Sequence, residues 1–541
     1  MDDELIKSLD DRIQECMDAE LPVDLLNRRQ SMKPAFVSII HKDVRTQDLL
    51  ISNKGSEFGG DELRGVVCDV FIGDTKGLGR GSVGIEDVPD FEIDKEGVRV
   101  CIKEELDTAL KNAANDYFVR KGKSILSAEP NIFLNLSKEP VVQSIEEVPN
   151  RYASALSERK KQKLNTLSKT LSKIVRENEA IKKIQIEMTS SDSIRRYANS
   201  EGTKIRDHTF VGRCRLYLTV RTEDSRIIEH IEDLFHTKDI DKIRNFDYFL
   251  NKKVIDAELA HAKELAKTLP LGTGECPVVM DASAFATFTH ELLVHLLSGQ
   301  HIYLKESGIF EGKLGKIIMP TFLSIIDDPT YRRGFGHYIH DEEGVKSKRT
   351  VLVEKGVLKN YLLDRVSASE LKCSSNGHAR SGWVVNEDED GEEIIGIPEP
   401  RASNLFIEAS RHMSEQRLMK SMIDYCKKYN YDFGLLIKGG GLANVDVRTG
   451  DFEFKPTHLY KVYLDGKTEL TSGAYFSGNP LYILDQIALC GDKYSTSSGI
   501  CGSDSGDVPD WGKAPSAFIK KIAYKNDSGE RLTKKILSKL D

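Results

Sequence analysis

Tryptophan is scarce in this 541-residue chain, with two residues, and there is no surplus of positive charge: 77 Lys and Arg stand against 85 Asp and Glu, a formal net charge of -8. A protein that grips nucleic acid by neutralising phosphates shows the opposite balance, so nothing in the composition calls for DNA or RNA. Long apolar runs are missing too. No window approaches the roughly 18 continuous apolar residues of a membrane-spanning helix. The acidic start Met1-Asp2-Asp3-Glu4 leads into no apolar stretch of the secretory or transit type, so a cytoplasmic protein is expected. The nine cysteines are odd in number, scattered and without a C-x-x-C pair, a pattern unlike a disulfide framework. The glycine-rich stretch Gly73 to Ser82 lacks the G-K-[ST] ending of a phosphate loop and reads as a turn between strands.

What is present describes an ordinary globular protein, 39% hydrophobic and 30% charged, too long for one comfortable core. Helical periodicity marks Asp2 to Glu20, Asp94 to Lys121, Ser157 to Lys183 and Asp239 to Leu269, whereas Ala35 to His41, Gly65 to Ile72, Lys183 to Thr189 and Arg213 to Arg221 read as strands. The basic cluster Arg159-Lys160-Lys161 reads as a solvated helix face. After Leu269 the pattern changes: a strand from Cys276 to Met280, a helix from about Ala282 to Leu297, then mostly short strands between Gly, Asp and Asn turns. The acidic run Asn386 to Glu393 is expected to be an exposed loop tip, because its carboxylates repel one another. The fold class expected is α+β. An N-terminal α/β domain over 1–265 would carry long helices on a sheet, and a β-dominated domain over 266–541 would carry the chemistry.

That chemistry centres on His290-Glu291-Leu292-Leu293-Val294-His295. Two imidazoles and a carboxylate on one helix suit zinc, since neutral imidazole is a good ligand and the carboxylate can take a proton from activated water. The spacing is unusual. Histidines four apart lie about 40° around a regular helix, but five apart lie about 140° around it and cannot easily share an ion. A π-type turn between Glu291 and His295 would restore a common face, and the spacing predicts one. The bland alternative is a histidine pair on a helix surface. The apolar neighbours Leu292, Leu293, Val294, Leu296 and Leu297 argue against it, because polar groups on a buried helix need partners.

Beyond the hexapeptide, the blocks Phe310-Glu-Gly312, Ile325-Ile-Asp-Asp-Pro-Thr330, Asp341-Glu-Glu-Gly344, Val353 to Lys359, Pro400-Arg-Ala-Ser-Asn404, Gly439-Gly-Gly441, Thr449-Gly-Asp-Phe452, Ser477-Gly-Asn479 and Gly499-Ile-Cys-Gly502 follow in order. In content and spacing they resemble the TldD/PmbA family over essentially all of residues 270 to 520. The resemblance implies a zinc-dependent peptidase in which His290 and His295 are metal ligands, Cys501 is by position the third, and Glu291 is the catalytic base. Glycines on both sides would let the backbone bring the Cys501 sulfur close. It further implies a peptide substrate, unfolded or short, bound as an added strand, and a dimer formed with a second copy or with a PmbA-type partner lacking the metal motif. Neither nucleic acid nor membrane is an expected partner. The competing expectations are a non-catalytic peptide-binding or regulatory subunit and a protease dedicated to maturing one precursor.

The sequence departs from the family pattern at Val294, at Ser298-Gly299-Gln300 and at Ser503-Asp-Ser505, around the ligands rather than at them. These changes bear on substrate preference. His337, His340, His378 and Arg380 are candidate oxyanion donors, and Asp327 or Asp328 could orient a ligating imidazole.

Overall fold

The structure, a computed structural model, describes residues 3–25, 28–74, 77–86, 88–91, 93–126, 133–147, 158–238, 252–306, 308–385 and 393–526. Its fold is α+β, built on two large sheets. The first has eight strands, in the order Ile227–Thr237, Lys204–Arg221, Ile181–Asn199, Pro34–Ser52, Glu62–Asp74 and Gly77–Ile85 along its main path, with antiparallel neighbours throughout that path. Helices Glu4–Asp18 and Lys95–Leu126 bury Leu5, Leu9, Ile13, Val98, Ile102 and Leu106 against it. Helix Glu158–Glu177 packs Leu164, Leu167 and Leu171 on the same sheet, and helix Lys252–Leu265 adds Ile255, Leu259 and Ala262 to that cluster.

Several local expectations need correction. Gly77–Ile85 is a strand, so most of the glycine-rich stretch is not a turn. Its glycines serve close approach instead. A Cβ on Gly81 would lie 2.0 Å from the Ala109 carbonyl oxygen and 2.4 Å from the Ala113 nitrogen, and one on Gly79 would lie 2.2 Å from the Tyr117 nitrogen. Gly79 and Gly81, two apart, share the sheet face that helix Lys95–Leu126 lies on. Gly81→Ala is therefore expected to cost about 1–3 kcal/mol, read as a lower urea midpoint, through forced displacement of that helix. An unchanged midpoint would refute this packing.

The helix expected over Ser157 to Lys183 ends at Glu177, where the Asn178 side chain donates to the Ile174 carbonyl at 2.6 Å and the chain turns into the Ile181–Asn199 strand. That strand and Lys204–Arg221 run much further than their apolar patterns suggest. Many of their polar residues are at least half-buried and ion-paired rather than exposed, as in Arg195 with Asp207 and Asp3 with Arg196 and Arg206. Of the helical stretch Asp239 to Leu269, residues 239–251 lie outside the described residues, as do 386–392 of the acidic run. Among the described residues no helix is long and apolar enough to cross a membrane. All nine cysteines are free thiols.

The second sheet has thirteen strands. Its main path runs Val357–Leu358, Thr350–Glu354, Leu323–Asp327, Asn404–Ala409, Val508–Asn526, Gly274–Met280, Phe433–Lys438, His458–Tyr463 and Thr468–Thr471. Off this path, Ile487–Cys501 pairs antiparallel with Val508–Asn526, so that Cys501 faces Val508 and Gly499 faces Asp510. The helix beginning at Ala282 lies over this hairpin and is apolar nearly all round. Phe285, Phe288, Leu292, Leu293, Val294, Leu296 and Leu297 are all buried.

Candidate functional site

Strand Gly274–Met280 hands the chain to the site helix at Asp281. Its carboxylate accepts from the Ala284 amide at 2.8 Å, capping the helix, and from the Gly439 amide at 3.2 Å, tying the start of the helix to the neighbouring strand's end. The α-helix lasts only from Ala282 to Thr289. It then widens into a π-helix over His290–Val294 and tightens to a 3₁₀ turn over His295–Leu297. The π turn required by the five-residue spacing is thus present. By adding a residue to the turn it swings His295 beneath His290 and brings their Nε2 atoms to 3.1 Å.

Cys501, the last residue of its strand, completes the cluster. Its Sγ lies 3.3 Å from His290 Nε2 and 3.2 Å from His295 Nε2. Thus the structure brings together the three residues anticipated as ligands, 211 positions apart in sequence at the extreme. Glu291 stands beside them, its Oε2 3.7 Å from His295 Nε2. His290 and Cys501 are buried, while His295 and Glu291 retain partial exposure.

Two further residues support the cluster. Arg401 donates from Nη2 to the Cys501 carbonyl at 2.6 Å and to its Sγ at 3.1 Å, and from Nη1 to the Ser505 hydroxyl and Gly506 carbonyl at 2.8 and 2.9 Å. It clamps the turn that presents the sulfur. Asp510 lies across the hairpin with Oδ2 3.6 Å from His290 Nδ1. Gly499 opposite leaves room for it, since a Cβ there would meet Asp510 Oδ1 at 2.8 Å. Burial alone would raise the Cys501 thiol, but His295, Arg401 and His290 hold it well below the ordinary thiol value. Burial would lower His290, yet the sulfur and Asp510 push it up to about 10. Burial raises Asp510 to about 6, with His290 beside it working in the opposite direction.

Sequence reasoning missed both supports. Arg401 was findable, because it lies in the Pro400 to Asn404 block; Asp510 carried no signal. The remaining candidates have partners of their own, although Arg380 is close enough to Cys501 and Asp510 to interact with both electrostatically. Asp327 does not orient the cluster imidazoles: it is fully buried, 3.0 Å from His378 Nε2, and accepts from the Ser403 amide at 2.9 Å. Asp328 accepts from the Thr330 amide at 3.0 Å, forming the turn around Pro329. His378 is held between Asp327 and the Asn376 side chain, with Nδ1 at 2.9 Å from the latter. His337 Nδ1 meets the Pro329 carbonyl at 2.7 Å. The His340 carbonyl accepts from Arg195 at 3.0 Å, and Arg380 lies over the Tyr338 ring while donating to the Ala402 carbonyl.

An α+β fold that threads a π-distorted His-Glu helix over a cysteine-ended hairpin defines a distinct class of protein. Residues 273–525 match the model of the PmbA/TldA metallopeptidase C-terminal domain, and over this region the chain is similar to the PmbA/TldD family. Similar proteins include a metalloprotease of Methanocaldococcus jannaschii, 27% identical over 61% of this chain and 67% of its own length. A metalloprotease of Methanothermobacter thermautotrophicus is 31% identical over 46% of this chain, and the Haemophilus influenzae metalloprotease TldD homolog is 28% identical over 46%. These two alignments span only about half of the relatives' own length, 50% and 48%. Among solved structures, TldE from Thermococcus kodakarensis superposes with a TM-score of 0.60 at 16% identity, over 91% of this chain and 97% of that one, a likeness of fold.

Proposed function

We propose that this chain is a metal-dependent peptidase that hydrolyses short or unfolded peptides, with His290, His295 and Cys501 holding Zn²⁺ and Glu291 acting as the catalytic base. The convergence of these three side chains, each pair of donor atoms 3.1–3.3 Å apart, carries the reading. The donors suit the ion. Ligands placed tetrahedrally at about 2.0–2.3 Å from one zinc are separated by roughly 3.3–3.6 Å, so only a slight spreading is needed. A set of two imidazoles and one thiolate also leaves a coordination position open, as catalytic rather than structural sites do. The ion, when bound, supplies Lewis acidity that polarises a scissile carbonyl and acidifies water toward a pKa of about 7.

The chain's own residues do the rest. Glu291, next to the cluster and partly exposed, accepts the proton of the attacking water and delivers it to the departing amine. Asp510, 3.6 Å from Nδ1 of His290, favours the tautomer that keeps its proton on Nδ1 and so leaves Nε2 free as the donor atom. Arg401 keeps the sulfur in place and in its thiolate form. The region over 266–541 supplies this chemistry, while 1–265 contributes to the cleft and to a dimer with a second copy or a PmbA-type chain.

Equilibrium dialysis and a fluorogenic unstructured peptide test the reading together. Wild type should bind one more zinc than Cys501→Ala and lose cleavage on chelation. Asp510→Asn should weaken zinc binding about 10–100-fold. If wild type and Cys501→Ala bind the same amount of zinc, the ligand assignment is wrong.

A further inference from the structure

A second cluster of imidazoles lies outside this site. His230 belongs to strand Ile227–Thr237 of the first sheet, His261 to helix Lys252–Leu265, and His458 opens strand His458–Tyr463 of the second sheet. Their ligand-capable nitrogens all lie within 4.8 Å of one another, and His230 and His458 form an overlapping group with Glu232 and Glu258 on the same criterion. The closest contact is His458 Nδ1 to His261 Nε2, at 2.9 Å. Ring centroids are 4.9 Å apart for His230 and His261, 5.3 Å for His230 and His458, and 4.2 Å for His261 and His458.

The carboxylates are placed by the same elements. His230 and Glu232, two apart on a strand, share a face, and Glu258 and His261, three apart on a helix, share another. Glu258 Oε2 is 3.0 Å from His230 Nε2, and Glu232 Oε2 is 3.7 Å from His458 Nε2. His230 is buried. Three imidazoles crowded together in a largely dry place satisfy only some of their nitrogens by bonding to one another, whereas one cation can take a lone pair from each.

We propose that His230, His261 and His458 form a second metal site, for a divalent transition-metal ion, that ties helix Lys252–Leu265 to both sheets. Neutral imidazoles with carboxylates nearby favour zinc among the abundant candidates, and Glu232 and Glu258 offset the charge of the ion and hold the rings. Three imidazoles drawn from three separate elements, with Glu232 or Glu258 at hand as a fourth donor, fit a closed, structural role: the ion acts as a clasp where the two sheets and the helix meet. No residue of the His290, His295 and Cys501 cluster takes part.

The test uses the full chain with the first cluster disabled, His290→Ala with Cys501→Ala, in zinc-buffered dialysis. About one zinc per chain should remain, and saturation should raise Tm by about 2–3 °C at a hundredfold excess over Kd. Zinc-edge X-ray absorption on this variant should show a nitrogen and oxygen shell with no sulfur. Adding His261→Asn and His458→Asn should remove both the bound zinc and the Tm response. Retention of zinc after those replacements would place the ion elsewhere and overturn the proposal. So would a first-cluster variant that binds no zinc, which would leave the three rings as a hydrogen-bonded group. Should the quadruple variant fail to fold, the zinc count and ligand shell of the first-cluster variant still decide.

Discussion

Glu291→Gln is expected to reduce peptide cleavage by about 10²–10⁴-fold while zinc content stays at the wild-type level. Glutamine keeps the volume and shape of the side chain on the π turn, so His290, His295 and Cys501 should keep their spacing. What disappears is the ability to take a proton. The rate loss corresponds to about 3–5 kcal/mol of transition-state stabilisation. Metal analysis must accompany the kinetics, because a variant that also lost zinc would report on ligand placement rather than on the base. Since Glu291 Oε2 is 3.7 Å from His295 Nε2, outside hydrogen-bond range, its loss should leave that imidazole's position largely unchanged. A variant that retains metal and cleaves as fast as wild type would remove Glu291 from the mechanism. If wild type itself cleaves nothing yet binds peptide, the chain is instead a binding or regulatory subunit.

The second large effect concerns the contact between the two sheets. Lys42 and Arg195, both buried on the first sheet, converge on Glu342 from the second half of the chain, at 3.1 and 3.2 Å. Lys42 also donates to the Ser381 carbonyl and hydroxyl at 2.8 and 3.0 Å, and Arg195 pairs with Asp207. Removing Glu342 leaves two cations in a dry place with too little negative charge. Glu342→Ala should therefore cost about 3–5 kcal/mol, measured as a fall in urea midpoint at constant m.

The pH dependence has a definite sign. Burial would raise Glu342, but Lys42 and Arg195 together hold it below the ordinary glutamate value of 4.5. A carboxyl depressed in the folded state contributes stability that is present above about pH 4.5 and is lost as the pH falls below it. In Glu342→Ala this portion of the acid-side loss should vanish. A variant with unchanged midpoint and unchanged acid profile would show that the network contributes nothing to stability.

Much of the site was legible before any coordinates. The five-residue histidine spacing is incompatible with a shared ion on a regular helix, and the apolar residues around it are incompatible with a solvent-facing helix, so a π turn in a buried helix follows from local geometry alone. The structure has that turn at His290–Val294. Cys501 was different. Nothing local distinguishes it from the eight other free thiols, and only the ordered family blocks pointed to it. Asp510 and the trio His230, His261 and His458 escaped notice because residues from unrelated stretches meet only through strand pairing and helix packing. The glycines at 79 and 81 were misread for a related reason: a glycine kept for helix approach looks the same in sequence as one kept for a turn.

By itself, then, the sequence determined the α+β class, the helix bearing His290, Glu291 and His295, and the distortion that helix must contain. These depend on periodicity and on bond geometry within a few residues. Only the tertiary structure decided which carboxylate stands behind His290, where Arg401 anchors the hairpin and that three further histidines converge. Each of these depends on the register between strands far apart in the chain, where a shift of one residue turns every side chain to the opposite face.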